Sequence, residues 1–167
     1  MGHGVWVAVY VGSTPICPTI MQTFLPLPDF RASAEVMDYK RLGKQRVEAF
    51  QLLNSLTPGY SKKGWLNHPA RLMWIGYTPA LRNYLAVFID EWVCRGYRNT
   101  MVIPPYEESA TLPHWFGSEA FHASHRANLI RKDTFYRKWG WTESPDMPYI
   151  WPSPLPDSVD PVTGAQL

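Results

Sequence analysis

The chain has 167 residues, enough for one domain with a substantial buried core, since a domain takes roughly 100–200 residues. Apolar residues make up 46% and charged residues 18%, which excludes a disordered chain, and the longest apolar run, residues 5–11, is far short of a membrane span of ~20 residues. The formal net charge is +2, and two cysteines, Cys17 and Cys94, supply neither a disulfide framework nor a four-cysteine zinc site and suit a reducing, cytoplasmic compartment.

Residues 1–20 lack the basic start and small-residue cleavage site of a secretory signal, and Met21 opens a cleaner pattern. The reading is an N-terminal extension over 1–20 and a functional domain from Met21, with a short added strand as the alternative. Asp29 and Ser33 are candidate N-caps for a short helical turn. Asp38 opens a stronger helix to about Leu56, with Leu42, Ala49, Phe50, Leu53 and Leu56 at helical spacing. Arg41, Lys44, Gln45 and Glu48 follow at i, i+3, i+4 and i+7 and line a polar stripe beside the apolar one. Thr57-Pro58-Gly59 ends this helix, and a loop with Lys62 and Lys63 follows.

A short helix is predicted after Pro69, and a long one from the cap Thr78 with Pro79 at its first position. Leu81, Tyr84, Leu85, Phe88, Trp92 and Val93 form the stripe of the long helix, which Gly96 ends. Residues 99–117 read as a surface loop, and Ser118 caps a last helix, EAFHASHRANLIRKD. Six prolines from Pro145 onward make residues 145–167 a Pro-rich tail, of which Tyr149 to Trp151 can dock on the body, with the last ten residues disordered. With no repeat, no Gly-rich phosphate loop and no alternating strand series, the fold class is mainly α: a compact single-domain helical fold, residues 21–144, with long loops.

The charge is unevenly spread. Residues 31–71 carry eight Lys/Arg against three acids, and residues 126–141 carry five against one. Two such segments suit a polyanion; two solvated helix faces are the plain alternative. Glu48 stands out as a carboxylate with Lys44 at i−4 and Arg41 two turns away: either a surface ion pair or a general acid/base among phosphate-binding cations. RKDTFYRKWGW (131–141) interleaves four cations with four aromatic residues and a glycine, as on a surface that holds phosphates and stacks on bases. His122 and His125, at i and i+3, raise a metal reading whose third ligand would have to come from His68, His114 or a distant carboxylate; no HExxH motif is present, and no metal and no cofactor is assigned.

The runs MDYKRLGKQRVEAFQLL (37–53), GWLNHP (64–69), RGY (95–97) and RKDTFYRKWG resemble pyrimidine-dimer DNA glycosylases of the endonuclease V type, with the likeness spread over residues 21–141. The resemblance implies a mainly helical single domain that binds damaged duplex DNA, breaks a glycosidic bond at a pyrimidine dimer and nicks the abasic product. An amine nucleophile attacks C1′ of the sugar, a Schiff base forms, and a glutamate on the first long helix, matched here by Glu48, is essential. Gln22 follows Met21 where the family exposes a small residue, and Val47 replaces an arginine. Met21, Lys40 and Lys44 are the candidate amines. Arg41, Lys44, Arg46, His68, Arg71, His125, Arg126, Arg131, Lys132, Tyr136 and Trp139 are the candidate DNA contacts. Duplex DNA is the expected partner, with no membrane and no obligatory protein partner. The alternatives are a non-catalytic nucleic-acid-binding protein of the same fold and a metal-dependent nucleotide or nucleic-acid hydrolase using His122 and His125.

Overall fold

Capping chemistry sets where the helices begin. The Asp29 carboxylate accepts the Ala32 N–H at 2.7 Å and starts α1, Phe30–Glu35. Asp38 accepts the Arg41 N–H and starts α2, Tyr39–Ser55. His68 Nδ1 accepts the Ala70 N–H at 3.1 Å ahead of α3, Pro69–Leu72. Ser118 starts α5, Glu119–Lys132. Each cap satisfies one of the orphan N–H groups of a first turn. Ser33 is not a cap: it lies inside α1, where its hydroxyl bonds both backbone groups of Leu27. Helix α4 spans Thr78–Cys94 with Pro79 in its first turn, and its N-cap is Tyr77 rather than Thr78.

The computed structural model describes residues 5–7, 22–60 and 66–152. Met21, Lys62, Lys63, Cys17 and the chain beyond 152 lie outside the described residues.

Helix α4 is the centre. Nine of its residues, from Ala80 to Ile89, are buried, while Val93 at the end of the expected stripe is 46% exposed. α2 and α1 both pack on α4, and α5 packs on the chain that follows it. α2 approaches α4 closely at Gly43, where a Cβ would lie 3.0 Å from the Trp92 ring. Arg95, just past α4, donates to the carbonyls of Ala34, Glu35 and Met37 and so satisfies the C-terminal end of α1. On α2, Leu42, Ala49 and Leu52 are buried, but Phe50 is exposed, because the buried arc is centred on the stripe that carries Gln45 and Glu48.

The chain after α5 departs from the expectation of a basic surface whose aromatic rings are open to stack on bases. Asp133 ends α5 and caps a 3₁₀ helix, Thr134–Trp139, by accepting the Phe135 N–H at 2.9 Å. That turn buries Tyr136 fully, stacked on Trp141 at 5.9 Å. The Pro-rich segment also joins the body: Tyr149 and Trp151 are buried, and Ile150–Pro152 forms strand β2, antiparallel to β1, Val5–Val7, with Trp6 opposite Trp151. The first residues thus contribute a short strand, the alternative reading of that segment, and the two strands are missed by a search for alternation because three residues are too few to show a period.

Candidate active site

Residues 22–25 run in extended form between the helices, and every backbone N–H in this segment is bonded to a side chain. Gln22 N–H donates to Glu48 Oε2 at 3.1 Å, Thr23 N–H to Gln22 Oε1 at 2.9 Å, Phe24 N–H to Gln45 Oε1 at 2.9 Å and Leu25 N–H to His125 Nδ1 at 2.9 Å. Trp74 Nε1–H adds a bond to Thr23 Oγ at 2.9 Å. Helices α2 and α5 and the turn after α3 therefore clamp one short piece of chain, and a buried N–H left without such a partner would cost ~1–3 kcal/mol.

This clamp places Glu48 at the edge of the core. The residue is 6% exposed; its Oε2 also accepts from Gln45 Nε2 at 3.1 Å, and its Oε1 lies 3.4 Å from Lys44 Nζ. Burial raises the Glu48 pKa above the ordinary carboxylate value, outweighing the opposing pull of the Gln22 N–H, Lys44 and Gln45. Glu48 opens onto a pocket of about 310 Å³ whose wall includes Phe24, Lys40, Arg41, Lys44, Gln45, Lys132 and Asp133. A carboxyl of raised pKa, an acceptor-rich clamp and four cations at one concavity can bind a phosphate and move a proton.

Of the residues singled out in the sequence, Lys40, Arg41, Lys44, Glu48 and Lys132 come together here. The others stand elsewhere. His125 is fully buried, its Nδ1 taken by the Leu25 N–H, and burial pulls its pKa down to about 3, so it is a neutral packing group and not a phosphate contact. His122 is equally buried: its Nε2 accepts the Gly117 N–H at 3.0 Å, which leaves Nδ1–H to donate to the Leu25 carbonyl at 2.7 Å. Among the described residues no group of three or more His, Cys, Asp or Glu is placed to hold a metal ion.

The candidate arginines bond within the protein. Arg126 is buried and bonds Glu143 at 2.7 Å, Glu119, and the Pro26 carbonyl. Arg71 donates to the Ser55 and Leu66 carbonyls. Arg46 lies over the Trp92 ring at 4.0 Å and bonds Asn99, and Arg131 bonds Asn128 and the Pro145 carbonyl. Arg41 reaches the pocket but pairs with Asp38 at 3.0 Å and Asp133 at 3.6 Å. His68 is an N-cap, Tyr136 is buried with its hydroxyl on Asp38, and Trp139 keeps an exposed ring, its Nε1–H on the Val36 carbonyl. Burial alone would raise the Asp38 carboxyl, but the Tyr136 and Arg41 hydrogen bonds outweigh it and hold its pKa below the usual value. Five donors in a planar fork suit guanidinium to such multi-acceptor sites, which sequence charge cannot reveal.

Sequence reasoning missed Gln22, Phe24, Tyr84 and Asp133 as parts of the site. Tyr84 reads as apolar stripe, yet its hydroxyl lies 2.9 Å from Gln45 Oε1 and 3.0 Å from the Phe24 carbonyl. Gln45 was visible as a member of the stripe of Glu48; the others carry no local signal.

No curated protein and no solved structure matches the chain. Residues 21–104, half of the chain, match the family described as pyrimidine dimer DNA glycosylase, and the match contains the Glu48 stripe, the clamped segment and α4. No helix among the described residues is long and apolar enough to cross a membrane. A matching stretch of that extent, holding most of the pocket wall, shows that the chain belongs to the pyrimidine dimer DNA glycosylase family, whose substrate is DNA.

Proposed function

We propose that the pocket over Glu48 is where this protein breaks the glycosidic bond of a damaged pyrimidine in duplex DNA, by an amine nucleophile that also makes it an abasic-site lyase. The observation that carries the reading is the placement of a buried carboxyl of raised pKa 3.1 Å from the backbone nitrogen of residue 22. The amine attacks C1′, the C1′–base bond breaks with its electron pair leaving on the base, and Glu48 supplies or accepts the proton. The resulting Schiff base allows removal of a 2′ proton and loss of the 3′ phosphate.

Three amines compete for the role: the α-amino group of a chain begun at Met21, one residue before that nitrogen, and the Nζ atoms of Lys40 and Lys44 on the pocket wall. An α-amine has an ordinary pKa of about 8 against about 10.4 for lysine, so a far larger fraction is neutral and nucleophilic at pH 7. Met21 is therefore the first choice. Lys40, Lys44 and Lys132 hold the phosphates on either side of the lesion.

The test uses protein begun at Met1 and at Met21, ultraviolet-irradiated and untreated duplex DNA, EDTA, and borohydride. Damage-dependent nicking with a trapped adduct is expected, confined to the Met21 start if the α-amine reacts, and K40A and K44A should then bind DNA more weakly yet still give the trapped adduct once saturated with it. Glu48→Gln should lower nicking by about 100-fold or more while leaving DNA affinity nearly unchanged. Binding without nicking or trapping from either start would overturn the reading in favour of a non-catalytic DNA-binding protein.

A further inference from the structure

The orientation of the Gln45 amide is settled by its neighbours. Phe24 N–H, a backbone group that can only donate, points at Oε1 from 2.9 Å, and the Tyr84 hydroxyl lies 2.9 Å from the same atom. Flipping the amide would set its NH₂ against the Phe24 N–H, donor against donor. Nε2 therefore faces Glu48 Oε2, at 3.1 Å. Oε2 already accepts the Gln22 N–H at 3.1 Å, so this one carboxylate oxygen takes two N–H donors. An oxygen with two donors aimed at it has no room for a proton of its own. The proton of the acid form must ride on Oε1, the oxygen beside Lys44 Nζ.

We infer that Gln45, held by Tyr84 and the Phe24 backbone, is a positioning residue that sorts the two oxygens of Glu48: Oε2 is kept bare and Oε1 carries the proton toward the pocket. The inference rests on Glu48 acting as the acid/base group proposed above, and assigns the substrate-facing atom and the chain of contacts that selects it. Other charged groups at the pocket are Lys40, Arg41 and Lys44 on α2, Lys132 at the end of α5 and Asp133 after it; Tyr84 faces Glu48 from α4. The lysines and Arg41 favour the carboxylate and Asp133 opposes it, and Lys44, which is paired with Glu48, stands by Oε1. Tyr84 stays neutral, since full burial drives its pKa well above the ordinary phenol value.

Gln45→Glu isolates the effect. It keeps an acceptor for Phe24 and Tyr84, takes away the donor to Glu48 Oε2 and sets there a second carboxyl that must share a proton with the first, while Tyr84→Phe loosens the same amide without adding a charge. The measurements are the titration of the carboxyl carbons of ¹³C-glutamate-labelled protein by NMR, and the pH dependence of single-turnover nicking of ultraviolet-irradiated duplex. With a thermal melt showing Q45E folded, the Glu48 titration and the matching limb of the rate profile should both move up by about one pH unit or more. Tyr84→Phe, which keeps the ring and loosens the amide, should move them in the same direction by less. A folded Q45E whose Glu48 titration is unmoved overturns the inference; should Q45E fail to fold, an unmoved Y84F titration overturns it equally. Full nicking by E48Q would instead sink the proposed role of Glu48, while the NMR titration would still report whether Gln45 sorts its oxygens.

Discussion

At the scale of single residues the cations divide by chemistry. Arg31 pairs with Asp90 at 2.6 Å, Arg95 with Glu91 at 2.8 Å, and Arg126 with Glu143 and Glu119, so the charge of these arginines is spent on holding helices and loops together. Lysine supplies the charge at the pocket. The two kinds should answer mutation differently. Arg126→Ala leaves the half-enclosed Glu143 carboxylate without its partner and exposes no new route to DNA, so it should cost about 3 kcal/mol in denaturant unfolding with little effect on DNA affinity once folded. Lys40→Ala, at an exposed position, should leave stability within about 0.5 kcal/mol and weaken DNA binding. A stable R126A with impaired DNA binding would contradict this division. Segment charge made both classes look alike, because the sequence shows a guanidinium but not the carbonyls that surround it.

At the scale of elements, the helices were legible where capping residues and apolar spacing coincide: Asp38 before α2, Ser118 before α5 and the Tyr84–Leu85–Phe88 stripe of α4 all stand where the sequence puts them. The 3₁₀ helix was not, since Asp133 serves as the end of one element and the cap of the next, and the basic-aromatic run around it reads as surface. The site was half legible: the Glu48 stripe shows in the spacing, whereas segment 22–25 acquires its role from partners 21 to 100 residues away. The α2–α4 contact supplies a sharper test. A methyl group at Gly43 would meet Trp92 Cζ3 at 3.0 Å and Cη2 at 3.1 Å. That ring is pinned by the Tyr97 ring at 4.3 Å, the Arg46 guanidinium at 4.0 Å and its own bond to the Arg98 carbonyl at 2.9 Å, so it has little freedom to yield. Gly43→Ala gains up to ~1 kcal/mol of helix propensity but incurs an overpacking cost of ~1–3 kcal/mol. The net expectation is a destabilisation of about 1 kcal/mol, read as a lowered urea midpoint; an unchanged or raised midpoint would mean that Trp92 moves.

At the scale of the whole molecule, buried histidines tie stability to pH. His125 is neutral in the folded protein, with its pKa pulled from 6.5 to about 3, and burial also lowers His68 and His122. The unfolded chain takes up these protons first, so stability is complete above about pH 6.5 and falls as the pH drops toward 3, at about 1.4 kcal/mol per unit for each fully excluded proton. Glu48, raised by burial, opposes the loss as it gains its proton, and Asp38, lowered, adds its own loss as the pH falls from the ordinary carboxylate value toward its own lower one. Unfolding free energy should therefore decline from pH 6.5 to 4; a flat profile would contradict neutral burial of His125. Binding to DNA draws on a different set of charges. If the net charge of the two basic segments governed affinity, thirteen cations would count; a contact confined to the pocket draws instead on Lys40, Lys44, Lys132 and an Arg41 that is paired with Asp38 and Asp133. Displacing counterions from roughly three or four phosphates gives a slope of log K against log salt near −3, by the rule of about −0.9 per phosphate on duplex DNA. K40A should flatten that slope by about one, and Arg126→Ala should leave it alone, because its charge never reaches the phosphates. A wild-type slope steeper than about −7 would show that cations outside the pocket also meet phosphates, as segment charge suggests.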